Sequence, residues 1–476
     1  MANVPNQSTL AFFEVLGIFL GLSGCLLLKV THVQNGPYMD EIFHIGQVTK
    51  YCKGLFEEWD PKITTLPGLY LLSSSLMQSL SWFFGYRVAD LCTVFWLRGI
   101  NVILATGNFC LLFALLRKLH GGNKGLSSTW YLLNTATLAT FPVLYFCTFL
   151  YYTDTGSTFF TLAMYLMHLH GNSKMAAGVG IAAILFRQTN IIWVIFVAGL
   201  TVEKVINDYI QPEKKEITQE DIQNPKYIGI ILLRIKNDLQ NNRTGITQLI
   251  MNLIKAVWMY IIVGLGFTTF VIINNGIVVG DRNNHEACLH FPQIFYFCCV
   301  VVGFSIPHFL NAQTILGFLK FVLKHPFVTI LGSGLCFLGV HFFTYEHKFL
   351  LADNRHYTFY IWARIFRRHW LIPYMLIPGY VFAIWTVSSF LKCKGILWKL
   401  VFLVCLVTAT VPQKLLEFRY FIIPYLIFRL NMKPSSSFQT FLEFLLYFVV
   451  NALTLYMFLQ KPFSWPNTDG VQRFMW

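Results

Sequence analysis

The segment PYMDEIFHIGQ, Pro37 to Gln47, sets Asp40 and His44 four residues apart. On a short helix the two share one face, while Glu41 points elsewhere. A carboxylate beside an imidazole at the mouth of a membrane cavity can act as a general base, hold a metal or bind a cation. The plainer reading is a solvated helix start with Asp40 near the N-cap. In FEEWDPKITTLPGLY, Phe56 to Tyr70, Trp59 stands beside Asp60. An aromatic face for C–H groups next to a carboxylate for hydroxyls resembles a sugar platform, although Trp is usually an interfacial anchor and Asp-Pro usually a turn.

Cations form the second set. Asp353, Arg355 and His356 bring both charges together within four residues, which suits hydrogen bonding to a phosphate or a polyhydroxylated ligand. Glu417 and Arg419, two apart at the entrance to an apolar run, pose the same chemistry. Arginine next to hydrocarbon is costly unless it meets an anion or a carboxylate, so Arg187 and Arg419 are functional candidates, each against the alternative of a structural ion pair. His285, Glu286 and His290 are ligand types, but HExxxH is not HExxH and no second cluster completes a four-ligand set. No metal and no cofactor are expected.

The elements that must position these groups are membrane helices. Only 12% of the 476 residues are charged and 55% are hydrophobic, with a mean hydropathy of +0.56. Soluble globular chains carry roughly 25% charged residues. A chain of this size with half that fraction could not coat itself with solvated groups. Disorder, coiled coil and collagen are excluded too. Candidate spans fall at 10–28, 91–116, 130–150, 156–170, 175–207 (broken at Arg187), 256–276, 294–310, 326–345, 370–391, 396–411, 420–430 and 438–459. The expected fold is an all-α polytopic membrane protein, one integral membrane domain over 1–476 with about 11–13 spans of roughly 20 residues or fewer. The first run lacks a basic n-region and is too long for a signal peptide, so it reads as a retained span. The net charge of +14 suggests nucleic acid in a soluble protein, but no basic stripe interleaved with exposed aromatics occurs. Membrane lipid is the expected partner; nucleic acid is not.

Residues 66–84, LPGLYLLSSSLMQSLSWFF, decide the parity of the topology. If they lie flat, the basic loop Arg117, Lys118, Lys124 turns cytosolic together with Lys174, the charged insert 203–255, Lys320 with Lys324, Lys392 with Lys394, and Lys433, as the positive-inside rule asks. The opposite, lumenal face then collects the first loop, 31–90 with interfacial helices, and Asp154, the Arg187 hairpin, 280–293, 346–360 and 412–420. The sequons at Asn6 and Asn242 fall on the cytosolic face and go unused. Most of the eleven cysteines sit in apolar runs; Cys52 and Cys288 lie in polar loops and could pair in an oxidising lumen.

Taken together, PYMDEIFH, WDPKITTLPGLY, YYTDTGS, FRQTNIIW, GDRNNHEACLHFPQ, LLADNRHYTFY, VPQKLLEFRYFIIPY and QRFMW resemble one family, in the same order from Pro37 to Trp476. It is the endoplasmic-reticulum α-1,2-glucosyltransferase family that adds the last glucose to the lipid-linked oligosaccharide for protein N-glycosylation. Gly46 and Leu66 stand where proline is common; neither change removes a reactive group. The resemblance implies a GT-C type enzyme of the endoplasmic-reticulum membrane, with its active site facing the lumen. Its donor would be dolichyl phosphate glucose and its acceptor the dolichyl-diphosphate-linked oligosaccharide Glc2Man9GlcNAc2. Turning a β-linked donor into an α-linked product requires inversion, hence one displacement and one base. Asp40 matches by position the aspartate that serves as base in the first lumenal loop of related GT-C enzymes. Arg355, His356, Arg419 and Arg187 are the candidates for the donor phosphate, and Glu41, His44, Trp59 and Asp60 for the acceptor side. The competing readings are a GT-C mannosyltransferase, which bottom-up reading cannot separate from a glucosyltransferase, and a non-enzymatic membrane accessory protein modulating an ion channel. A transporter would bury ionisable residues at midplane in broken helices, whereas here most such residues gather in loops on one face, with Arg98 and Arg187 as the exceptions to check.

Overall fold

The structure is a computed structural model that describes residues 7–123, 125–210, 222–282, 286–466 and 470–476. Asn6, Lys124, His285 and residues 211–221 of the charged insert lie outside the described residues. The fold is helical, with one short antiparallel pair, Phe463–Ser464 with Val471–Gln472.

Among the described residues, seven helices are long and apolar enough to cross a membrane: Ser8–Val33, Val94–His120, Gln188–Ile210, Arg243–Ile273, Pro326–Phe343, Ile372–Phe390 and Ser437–Gln460. Shorter apolar helices, Ser173–Phe186, Pro292–Phe304 and Ile396–Thr410, accompany them. The most apolar stretch of Val94–His120 is 56% buried and that of Arg243–Ile273 only 11%, so the first is the central post and the second faces lipid. Exposed Leu and Ile on the outer helices are what a protein solvated by hydrocarbon requires.

Several of the expected spans are short or interrupted, for local reasons. The expected span 130–150 is Ser128–Ala139 followed by Pro142–Cys147. Pro142 has no N–H to give and forces Phe141 out of the helical region (φ −50°, ψ 119°), which splits the helix. The pieces still run the length of the bundle, from Trp130, whose Nε1 donates to Ser435 O, to Tyr151, whose N–H donates to Glu41. The expected break at Arg187 is present: Ser173–Phe186 ends there, Arg187 is extended (φ −150°, ψ 121°), and Gln188–Asn190 restarts as a 3-10 turn.

Helix Gly68–Phe84 enters and leaves at one end of the bundle. Gly68 packs against the Leu185 carbonyl so closely that a Cβ would lie 2.6 Å from it. After the helix, Cys92 is disulfide-bonded to Cys52, and six residues later Arg98 reaches Glu41. Both ends of the segment therefore lie at the same end of the bundle. Cys52 thus pairs with Cys92 and not with Cys288, a partner the polar loops had left open: Cys288 is free, and its N–H donates to Pro412 O.

Loops consequently gather at two ends. At one, Thr64 O accepts from Gln188 Nε2 and Val279 N, Tyr38 OH donates to Arg473 O, and His290 N donates to Val411 O. At the other, His120 Nε2 meets Leu430 O, Lys433 N meets Phe390 O, and Lys399 Nζ meets Gln223 O. A small separate core of Val48, Tyr70, Met77, Leu97, Tyr151 and Phe186 underlies the first end.

Candidate active site

Asp40 is placed by an ion pair that never sees solvent. Arg98, on the central helix, donates through Nε and Nη2 to both oxygens of Glu41 at 2.8 and 2.6 Å, and through Nη1 to Gln34 O at 2.7 Å. Glu41 also accepts from Tyr38 N at 2.9 Å and Tyr151 N at 2.6 Å, so its oxygens are saturated. Both side chains are fully buried. This knot clamps the turn Gln34–Glu41 tightly enough to hold Met39 at φ +55°, a left-handed conformation that costs a branchless residue about 1 kcal/mol or more. The next residue, Asp40, occupies the N-cap of Glu41–Cys52 but makes no side-chain cap bond. Its carboxylate is half exposed and turned to other work.

One turn on, the Nδ1 of His44 lies 2.6 Å from Tyr70 OH. Burial lowers the imidazole pKa; the carboxylates of Asp40 and Asp154 pull it upward and Arg419 pushes it down again. The ring therefore stays neutral near pH 7. Tyr70 also meets Trp59 edge to face at 5.9 Å, and the buried Trp59 Nε1 has no hydrogen-bond partner. Asp60 closes the turn, its Oδ1 accepting from Lys62 N at 2.9 Å while Gln47 Oε1 accepts from its N–H. His44, Tyr70 and Trp59 thus form one group; Asp60 behaves as the turn residue and Glu41 as part of the clamp.

Arg419 is the hub. It follows the apolar helix Ile396–Thr410 in a loop and lies in the 3-10 turn Phe418–Phe421. Its Nη1 is 3.7 Å from Asp40 Oδ2 and 3.9 Å from Asp154 Oδ2, and its Nη2 is 3.0 Å from Glu417 Oε2. The guanidinium also stands over the Tyr152 ring at 5.3 Å. Burial alone would lower its pKa, but Glu417, Asp154 and Asp40 together raise it well above the ordinary value. Asp154, buried at the start of the helix Asp154–Leu169, accepts from Arg187 Nη1 at 2.7 Å. Arg187 and Arg419, with Lys414, line one part of a cavity of about 1030 Å³; Ile191, Tyr260, Leu265 and Phe267 line another. A cationic head on an apolar aisle between helices is a receptacle for an anionic amphiphile.

The sequence profile of the DIE2/ALG10 family matches residues 34–430, a stretch that contains Asp40, Asp154, Arg187 and Arg419. The chain belongs to the DIE2/ALG10 family. Relatives named "Dol-P-Glc:Glc(2)Man(9)GlcNAc(2)-PP-Dol alpha-1,2-glucosyltransferase" include one from Mus musculus, 46% identical over 458 residues and 96% of each chain. One from Homo sapiens is 45% identical over 464 residues, again 96% of each. One from Arabidopsis thaliana is 34% identical over 505 aligned positions, covering 94% of this chain and 96% of the relative. No solved structure matches the chain.

In this DIE2/ALG10 chain Arg355 and His356 stand apart from the cavity. Arg355 Nε and Nη2 are taken by Asp353 at 2.8 and 2.7 Å, its Nη1 by Gln472, and its guanidinium stacks on Trp465 at 4.8 Å. Burial alone would raise the pKa of Asp353, but the Arg355 bonds outweigh it and hold the carboxyl below the usual range. His356 Nδ1 meets Trp476 O at 3.0 Å. Among the described residues, no three His, Cys, Asp or Glu side chains gather as metal ligands. Glu286 pairs with Lys414 at 3.8 Å, while burial drives the pKa of His290 down to about 4.

Asp154, Tyr152 and Arg98, which had no candidate role, complete the arrangement, together with Glu417, already paired with Arg419 by spacing. Two of them carry signals in the sequence: Arg98 is the lone charge of an apolar run, and Asp154 is an acid at the mouth of one.

Proposed function

We propose that this chain transfers glucose from dolichyl phosphate glucose to the 2-hydroxyl of the terminal glucose of Glc2Man9GlcNAc2-PP-dolichol. It acts in the endoplasmic-reticulum membrane with its active site facing the lumen. The observation that carries the reading is the pair of guanidiniums, Arg187 and Arg419, in the wall of a largely apolar cavity, with the half-exposed Asp40 carboxylate 3.7 Å from Arg419. Near-complete coverage of relatives bearing that activity in their names supports the same substrates.

Asp40 takes the proton of the acceptor hydroxyl as its oxygen attacks C1 of the donor glucose from the face opposite the phosphate. The new C1–O bond forms as the C1–O bond to phosphate breaks, and the electron pair leaves with dolichyl phosphate. Arg187 and Arg419 offset the charge that gathers on the phosphate oxygens. The polyprenyl chain lies along the apolar part of the cavity. Neutral His44, Tyr70 and Trp59 shape the acceptor side. Arg355 and His356 serve the loop that they brace.

For sidedness, the Cys52–Cys92 bridge suits an oxidising lumen. Arg117 and Lys118, in the last turn before His120, share the opposite end with Lys392, Lys394 and Lys433, which suits the cytosol. Residues 31–90 are then the first lumenal loop and 203–255 the cytosolic one.

The test is purified protein in detergent with dolichyl phosphate glucose and the diglucosylated lipid-linked acceptor, EDTA present throughout. Transfer of one glucose in α-1,2 linkage is expected. A folded protein that transfers none would remove the enzymatic reading and bring forward the accessory-subunit one.

A further inference from the structure

Asp154 lies behind the two guanidiniums. Its side chain is 1% exposed and is no part of the cavity wall, whereas Arg187 and Arg419 both are. Oδ1 accepts from Arg187 Nη1 at 2.7 Å; Oδ2 faces Arg419 Nη1 at 3.9 Å and has no hydrogen bond. The Nε of Arg419 is buried and likewise without a partner. Two guanidiniums aimed at one phosphate repel each other before it arrives, and at low local dielectric that repulsion is strong. A carboxylate between the two offsets the repulsion and ties their positions together, with Glu417, 3.0 Å from Arg419 Nη2, holding the second guanidinium through its other terminal nitrogen.

We propose that Asp154 is a positioning residue that holds Arg187 and Arg419 as a single phosphate-binding fork. Resting on the donor assignment above, it acts on the donor phosphate through the arginines and touches no reacting atom. Asp40 differs in both respects, being half exposed and without so short a partner.

The fork predicts a selective defect. Asp154→Asn keeps an oxygen for Arg187 but loses the charge. The donor KM should rise about tenfold, the acceptor KM should stay within about twofold, and kcat should fall less than the donor affinity. Dolichyl phosphate, added as a probe in detergent, should stabilise wild type against heat and should stabilise Asp154→Asn far less. The double variant Asp154→Asn/Arg187→Gln should be no worse than the more impaired single one, because the two act as a unit. If Asp154→Asn does not fold, Asp154→Glu, which keeps the charge on a longer arm, and Arg187→Gln carry the same donor-KM readout.

An unchanged donor KM, equal rises in both KM values, or single-variant effects that multiply would overturn the fork. A wild type stabilised by dolichyl phosphate but transferring no glucose would sink the glucosyltransferase reading while leaving the fork standing. A wild type neither stabilised nor active would end both.

Discussion

Two buried ionic clusters stand at opposite ends of this bundle, built from the same residue types and tied by one stretch of chain. Arg419 lies in the turn that leads into the helix Ile422–Asn431, and Arg429 lies in that helix's last turn. At the far end, Glu443 accepts from Arg429 Nε at 3.0 Å, from His308 Nε2 at 2.9 Å and from Ser305 Oγ at 3.1 Å. Tyr425 and Tyr447 also donate to its Oε1 at 3.3 Å, and Arg429 Nη2 joins His308 on its Oε2. At the near end Glu417 holds Arg419 at 3.0 Å, but Asp40 and Asp154 stand off at 3.7 and 3.9 Å. Asp154 Oδ2 is left unpaired on its carboxylate, whereas at the far end only the imidazole Nδ1 of His308 is, and a cavity opens beside Arg419. A carboxylate saturated by donors can hold helices but cannot receive anything. A cluster left unsaturated in a buried setting has unmet capacity that a ligand can fill. One cluster therefore belongs to the fold and the other to the chemistry.

That contrast is broken first at Asp40. Asp40→Asn should cut kcat by about 10²–10⁴, the worth of a general base, with no change in melting temperature beyond error. Next comes Glu443→Gln, which leaves Arg429 buried without a counter-charge and should destabilise by about 3–5 kcal/mol while each folded molecule keeps its turnover. Chemical melts paired with the transfer assay read both.

A smaller effect sharpens the near end. Cys52 and Cys92 are 40 residues apart in sequence, and Cys92→Ser should cost about 2–4 kcal/mol by the chain-entropy relation. Thiol labelling should find Cys52 newly reactive, and wild type treated with reductant should match the variant.

The smallest effect is on pH dependence. Burial holds the pKa of His290 near 4 and lowers that of His44 in the fold, whereas both titrate near 6.5 once unfolded. The unfolded chain thus binds more protons in that window, and stability drops as pH falls from about 6.5 toward 4. His290→Gln should reduce the loss between pH 7 and pH 5 by about 1–2 kcal/mol, seen as a flatter plot of melting temperature against pH.

Legibility in the sequence followed the range of the contact involved. The shared face of Asp40 and His44, the break at Arg187 and the split of loops between two ends rest on local spacing and on where charges interrupt apolar runs, all visible in one dimension. The split at Phe141–Pro142 was legible in principle, since proline marks it, but the apolar run around it masked the signal. The Glu41–Arg98 clamp joins residues 57 apart, Arg187 meets Asp154 across 33, and Cys52 finds Cys92 rather than Cys288. Such pairings are chosen by helix packing, which no periodicity encodes. Glu41 shows the consequence: next to Asp40 in sequence, it faces the opposite way and serves the clamp.

The most direct measurement places Asp40→Asn and Glu443→Gln side by side, reading glucose transfer and melting temperature from the same preparations. The expected result is a crossing. Asp40→Asn melts like wild type and transfers glucose about 10²–10⁴ times more slowly, whereas Glu443→Gln melts lower and transfers glucose at the wild-type rate per folded molecule. Normal transfer by Asp40→Asn, or a stable Glu443→Gln that has lost transfer, would contradict the division of the two clusters between chemistry and fold.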